Sequence, residues 1–192
     1  MTTRWAGDTE TKPAPGQLAR IQALVNTIEL PVGTDRLARP DDAAPWLAAN
    51  GWLAAGASPT AAELDQVRKV REALRALLIH HSGGTAPQAD HLAALKALTD
   101  TSTAKVDLTP EGQVHLSAAG EGVGERLLEV LLVMRDAQRD GTWARLKACA
   151  NDECTWAFYD RSRNHGGTWC DMSSCGNMLK NREFRARRRG GS

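Results

Sequence analysis

The sequence predicts a mainly α protein with a small β-hairpin, an α+β arrangement in which a helical N-terminal domain precedes a cysteine-rich C-terminal module. Three observations predict it. Apolar residues before residue 140 recur at helical spacing in several stretches. Only once does the period switch to two, at Val106 and Leu108 and again at Val114 and Leu116. All four cysteines fall between 149 and 175, with none earlier.

Residues 1–15, with Pro13 and Pro15 and few apolar groups, read as a flexible arm. A helix is expected from about Gly16, where Leu18, Ile21, Leu24, Val25 and Ile28 share a face, with Pro31 and Gly33 ending it. Asp41 or Asp42 caps a short helix through Trp46 that Asn50-Gly51 breaks. Ser58-Pro59-Thr60 with Glu63 reads as a cap and first turn for a helix reaching His81. A helix over about 88–99 follows, then the hairpin around Pro110-Glu111-Gly112, then a long helix over 122–139 carrying Leu127, Leu128, Leu131, Leu132 and Met134. The expected organisation is a flexible arm over 1–15, a helical domain over 16–140 and a module over 141–192, with the break near Asp140-Gly141.

At 192 residues with 42% hydrophobic and 24% charged residues, the chain is long enough to bury one ordinary core. No apolar run reaches the roughly 18 residues that span a bilayer, and the polar start is unlike a targeting peptide. A cytoplasmic location is expected. The net charge of +1 hides a split: residues 1–140 carry 14 basic and 18 acidic side chains, residues 141–192 carry 10 and 5. Such a basic end suits an acidic partner, typically nucleic acid, although a solvated basic tail gives the same composition.

The cysteines are spaced Cys149-x4-Cys154 and Cys170-x4-Cys175 with 15 residues between the pairs. Two close pairs bring four thiolates to the corners of a tetrahedron, the arrangement of one structural Zn2+. An iron–sulfur cluster, which also takes four cysteines, and two disulfides are the rival readings; a reducing compartment disfavours the last. Trp156, Phe158, Tyr159 and Trp169, four of nine aromatics, crowd into 14 residues of the module. A unit this small needs metal as well as aromatics for stability. Four cysteine ligands leave no open position for a metal-bound water, so hydrolysis at the metal is not expected. His165 lies between the pairs and reads as a loop residue rather than a substitute ligand.

Cys149-Ala-Asn-Asp-Glu-Cys154, Trp156-Ala-Phe158, Asp160-Arg-Ser-Arg-Asn164, Trp169-Cys170 and Cys175-Gly176-Asn177 resemble the CGNR zinc finger family. The region before them resembles, more loosely, the ABATE domain of bacterial stress-linked transcription regulators, on Leu24-Val25-Asn26-Thr27, Trp46-Leu47 and the Leu64-to-Leu78 helix. The resemblance implies a treble-clef-like or similar four-cysteine zinc finger, a DNA-binding role and a regulatory N-terminal domain. This chain departs from the family at Met178, where the naming motif ends in arginine, and at His165-Gly166-Gly167-Thr168, where basic residues are usual. Both departures remove positive charge beside the metal.

Beyond Gly176 a basic helix is expected. At 100° per residue, Arg182, Arg185 and Arg189 fall within about 60° of one another, and Lys180 and Arg187 lie opposite. A helix pinned by a metal at its start suits arginine contacts to DNA, so Lys180, Arg182, Arg185, Arg187, Arg188 and Arg189 are the candidate DNA-binding residues, with Arg161 and Arg163 assisting. In the helical domain, Arg71 projects from the stripe of Leu64, Val67, Leu74 and Leu78. A buried arginine must be paired: it meets an internal acid, or it awaits a small anionic ligand in a pocket of Asn26, Trp46, Trp52, Arg71 and Arg75. Asn26 lies off its helix's apolar stripe, which also fits an exposed residue.

No phosphate-binding glycine loop, metal-binding His-Glu pattern or nucleophile elbow occurs, and His80, His81 and His91 read as helix-end residues. No catalytic residue is assigned. The leading expectation is a zinc-finger DNA-binding transcription regulator with a small-molecule-sensing N-terminal domain. The alternatives are a zinc-stabilised module for protein or RNA, and an enzyme with an N-terminal pocket and purely structural zinc. Oligomeric state is open, with a homodimer among the options.

Overall fold

A computed structural model describes residues 10–31 and 33–177. The helices are α1 (Leu18–Val25), α2 (Pro40–Ala49), α3 (Ala61–His81), α4 (Ala89–Thr101) and α5 (Val123–Arg139). Three antiparallel two-stranded ribbons accompany them: β1 (Ile28–Glu29) with β2 (Thr34–Asp35), β3 (Thr103–Leu108) with β4 (Val114–Ala119), and β5 (Leu146–Ala148) with β6 (Ala157–Tyr159).

α3 is the central element and packs on α1, α4, α5 and β5. Its start is set by a capping box. The Thr60 hydroxyl accepts from the Glu63 amide, and the Glu63 carboxylate accepts from the Thr60 amide at 2.7 Å. Of the expected cap stretch Ser58-Pro59-Thr60, Thr60 is the N-cap, and Pro59 lies just ahead of it rather than in the first turn. Leu64, Val67, Val70, Leu74 and Leu78 line its buried face and meet Ile21 and Leu24 of α1 and Leu127 and Val130 of α5. The predicted hairpin forms with Val106 opposite Leu116 and Leu108 opposite Val114, and β4 lies against α5.

The cysteine module is not an appendage. β5 lies on α3, β6 lies on α1, and Leu146, Ala148, Ala157 and Tyr159 join the same core as the helices. Of the stretch expected as a flexible arm, residues 1–9 lie outside the described residues, and residues 10–14 run between the helices and the module. The Tyr159 amide donates to the Lys12 carbonyl at 3.0 Å, and the Lys12 ammonium donates to the Trp169 carbonyl at 2.6 Å while sitting over the Phe158 ring. Among the described residues no helix is long and apolar enough to cross a membrane.

Candidate metal centre

The four cysteines come from two tight turns. β5 runs straight into Cys149, whose amide donates to the Trp156 carbonyl, and the chain folds back through Asn151, whose carbonyl accepts from the amides of Cys154 and Thr155. Thr155 closes the turn in the left-handed region, at φ 46°. Cys170 and Cys175 flank a second turn, where the Asp171 carboxylate accepts from the Ser173 amide at 3.1 Å and a wide helical turn runs over Met172–Gly176. The Cys149 turn is tied to the approach to Cys170 by the Ala150 amide, which donates to the Thr168 carbonyl.

All four sulfurs lie within 4.8 Å of one another, with Cys154–Cys170 and Cys170–Cys175 at 3.8 Å. A tetrahedron with metal–sulfur bonds of about 2.3 Å has sulfur–sulfur edges of about 3.8 Å. A disulfide needs about 2.05 Å, so the pairing reading fails and all four cysteines are free. A cluster of several irons would spread its cysteines over different metal atoms, whereas here they converge on a single point. Hydrogen bonds from Cys154 and Cys170 hold the Cys149 thiol far below the ordinary cysteine range. Cys149 in turn pushes Cys154 and Cys170 up. Four sulfurs this close cannot all ionise against one another; a divalent cation at their centre is what lets them. The residues fit one structural Zn2+, with Cys149, Cys154, Cys170 and Cys175 as its ligands and no position left for a reacting water.

The loop between the pairs is organised by an ion pair that the sequence did not reveal. Lys147 and Asp160, both buried, meet at 2.9 Å. The Asp160 carboxylate also accepts from the amides of Ser162 and Gly167, and Lys147 donates to the His165 carbonyl. Burial opposes the charge of Asp160, but Lys147 and these donors hold its pKa well below the usual carboxylate range. Gly167 is required by this arrangement: a Cβ there would lie 2.6 Å from the Asp160 carboxylate. The loop thus has a core of charge and amides, and Arg161 and Arg163 are left exposed on it. Arg161 still donates to the Pro13 carbonyl at 2.9 Å.

The helical body grips β6 with buried amides. Asn26, expected off the apolar stripe, is only 2% exposed. Its side chain accepts from the Ala157 amide at 2.7 Å and donates to the Ala157 carbonyl at 2.9 Å, pairing with the strand as another strand would. Gln22 donates to the same carbonyl and accepts from the Ala14 amide. Glu10 accepts from the Trp156 indole and from Asn26.

The expected ligand set does not come together as one pocket. Asn26 and Trp46 line a cavity of about 410 Å³ with Glu10, Gln22, Arg36 and Asn50. Trp52, Arg71 and Arg75 stand outside its wall. Trp52 is wholly buried, with the Arg20 guanidinium 4.2 Å from its ring. Arg71 takes the internal-acid outcome, meeting Asp35 at 2.7 Å and Glu72 at 2.7 Å. Burial opposes its charge, but these two acids raise its pKa. Arg75 meets Glu72 at 3.0 Å and donates to the carbonyls of Val25 and Thr155, so it braces the turn after Cys154 rather than awaiting an anion. His81 faces the Leu146 carbonyl through Nδ1, and His91 Nδ1 accepts from the Gln88 amide as a helix cap. Lys180, Arg182, Arg185, Arg187, Arg188 and Arg189, with Met178, lie outside the described residues.

No curated protein matches the chain. Residues 145–188 match the CGNR zinc finger. Residues 18–148 match the ABATE family, whose description reads "Putative stress-induced transcription regulator". These are regulator-type families rather than enzyme families. The two matches overlap on β5, the strand that packs on α3 and runs into Cys149. The chain belongs to the ABATE family and ends in a CGNR zinc finger.

Proposed function

We propose that this protein is a DNA-binding transcription regulator, acting in the cytoplasm, in which zinc holds the base of a basic C-terminal segment and the helical body senses a small molecule. The observation that carries the reading is the closed four-cysteine site immediately ahead of residues 178–192, where six Lys and Arg face one Glu. Zinc with four protein ligands does no chemistry; it fixes a direction for the chain that follows. Arg182, Arg185, Arg187, Arg188 and Arg189, with Lys180, contact phosphates and guanine edges, and exposed Arg161 and Arg163 add phosphate contacts.

The sensing half of the reading is supported by the cavity lined by Asn26 and Trp46. Its volume is that of a small-molecule site. Gln22 and Asn26 stand in its wall and also hold Ala157 of β6. A ligand there touches the same amides that seat the finger, which is how occupancy would reach the DNA end.

DNA selection with the full chain, followed by titration against salt, tests the reading. One sequence bound above bulk DNA, with affinity falling steeply with salt, is the expected result. Arg182→Ala with Arg185→Ala should weaken it at least about tenfold. No binding to any DNA at low salt would sink it and leave a protein- or RNA-interaction module.

A further inference from the structure

The hairpin of β3 and β4 is the least buried element of the body. β4 lies against α5, and Ala118 packs on the core. β3 is the outer strand, and nothing among the described residues pairs with its far edge. Val106, Leu108 and Val114 are 66%, 70% and 68% exposed, on one face of the ribbon because they oppose Leu116, Val114 and Leu108. An exposed aliphatic edge strand is a template for another strand, and a two-stranded ribbon alone is marginal in water.

The sequence of β3 says which strand fits. Thr109 donates to and is bonded by the turn to β4, its amide reaching the Gln113 carbonyl at 2.9 Å. In an antiparallel ladder the inward-bonding residues alternate, so Thr103, Lys105 and Asp107 bond β4, whereas Ala104, Val106 and Leu108 turn their amides and carbonyls to the open edge. Around Val106 the chain reads Thr103-Ala104-Lys105-Val106-Asp107-Leu108-Thr109. It is a chemical palindrome in which reversal exchanges positive for negative.

We infer that β3 is a self-pairing edge: two copies of this chain join β3 to β3 antiparallel, with the two-fold axis through Val106. Val106 then exchanges both main-chain hydrogen bonds with Val106 of the second copy, and Ala104 does so with Leu108. Lys105, which lies 2.9 Å from Asp107 of its own chain, then also faces Asp107 of the second copy, and Asp107 faces Lys105 there. Moving the axis by one residue puts Lys105 opposite Lys105 or Asp107 opposite Asp107, and like charges directly opposed are unfavourable. Registers centred on Lys105 or Asp107 are thereby disfavoured, and the one centred on Val106 pairs all of residues 104–108. The product is a four-stranded sheet with one continuous aliphatic face, and it would give a regulator two fingers related by a two-fold axis.

Sedimentation of the full chain at tens of micromolar tests it. The wild type should run at twice the 20.7 kDa of one chain. Lys105→Asp, and separately Asp107→Lys, should each weaken association at least about tenfold, because each turns two attractive pairs into repulsive ones. Mixing the two single variants should restore a dimer of one of each, and the swapped double variant Lys105→Asp/Asp107→Lys should dimerise by itself. Both side chains are exposed, 62% and 48%, and recovery on mixing shows that each variant is folded. A monomeric wild type overturns the inference, as does a dimer that survives both single reversals.

Discussion

The helical body and the zinc module solve the same problem with different materials. The body buries aliphatic side chains: Ile21, Leu24, Leu47, Leu64, Leu74, Leu78 and Leu127 are almost fully enclosed, and each contributes on the order of 2 kcal/mol by leaving water. The module buries a smaller apolar set, Trp143, Leu146, Ala148, Ala157, Phe158 and Tyr159. Its remaining interior is four sulfurs, the Lys147–Asp160 ion pair and the Asn151 amide, which reaches Cys175 at 3.8 Å. The difference teaches where each part is vulnerable. Losing one methyl group from the body leaves most of its core; losing one partner in the module leaves a buried charge or an empty ligand position.

Removing the metal should break the module and spare the body, the largest effect in the protein. Zinc finger peptides draw about 10 kcal/mol or more of apparent folding energy from their metal. Chelation, or Cys175→Ser, should abolish the cooperative melting of the module followed by Trp fluorescence, with most far-ultraviolet helix signal retained.

Next in size is Asp160→Ala, which strands the Lys147 ammonium and the amides of Ser162 and Gly167. Breaking a buried pair from one side costs about 3–5 kcal/mol, and chemical denaturation of zinc-loaded protein reads it. The folded pKa of Asp160 lies below the ordinary value of 3.8. Its contribution is therefore complete above that value and drains away as pH falls through it towards the folded one. The stability gap between wild type and variant should be constant near neutrality and narrow in acid.

Asn26→Ala removes the hydrogen bonds to Ala157 and Glu10 and leaves the Ala157 amide buried without a partner, a loss of about 2 kcal/mol. It should raise amide exchange in β6 more than in α3. The smallest effect is expected in the body's exposed charges. Lys69→Ala breaks a 2.7 Å pair with Asp65 on the surface of α3, where such pairs contribute about 0.5 kcal/mol or less, so the melting temperature should hardly move.

What the sequence made legible follows the same division. Helical spacing located all five helices, although the first stops at Val25 and Ile28, expected on its face, lies in β1; the cysteine spacing located the metal ligands, because both signals are local and repeat. β5 and β6, three residues each, are too short to show a period. Asn26 was hidden for a different reason: its partner, Ala157, lies 131 positions away, and an amide on the edge of an apolar stripe looks the same whether water or a strand satisfies it. Nothing local in the sequence marks Lys147 and Asp160 as partners until the fold closes over both. Arg71 was visible as an anomaly, since a guanidinium in an apolar stripe demands a partner, but only the fold identifies Asp35 and Glu72 as that partner.

Hydrogen exchange of the full chain with and without zinc tests most directly whether metal and body hold the module together. With zinc, the amides of Ala157 and Tyr159, bonded to Asn26 and Lys12, should exchange slowly. Stripping zinc should release these two amides together with residues 149–175, while α3 and α4 keep their protection. If Ala157 and Tyr159 stay protected without the metal, the module has a sufficient core of its own and the account is wrong.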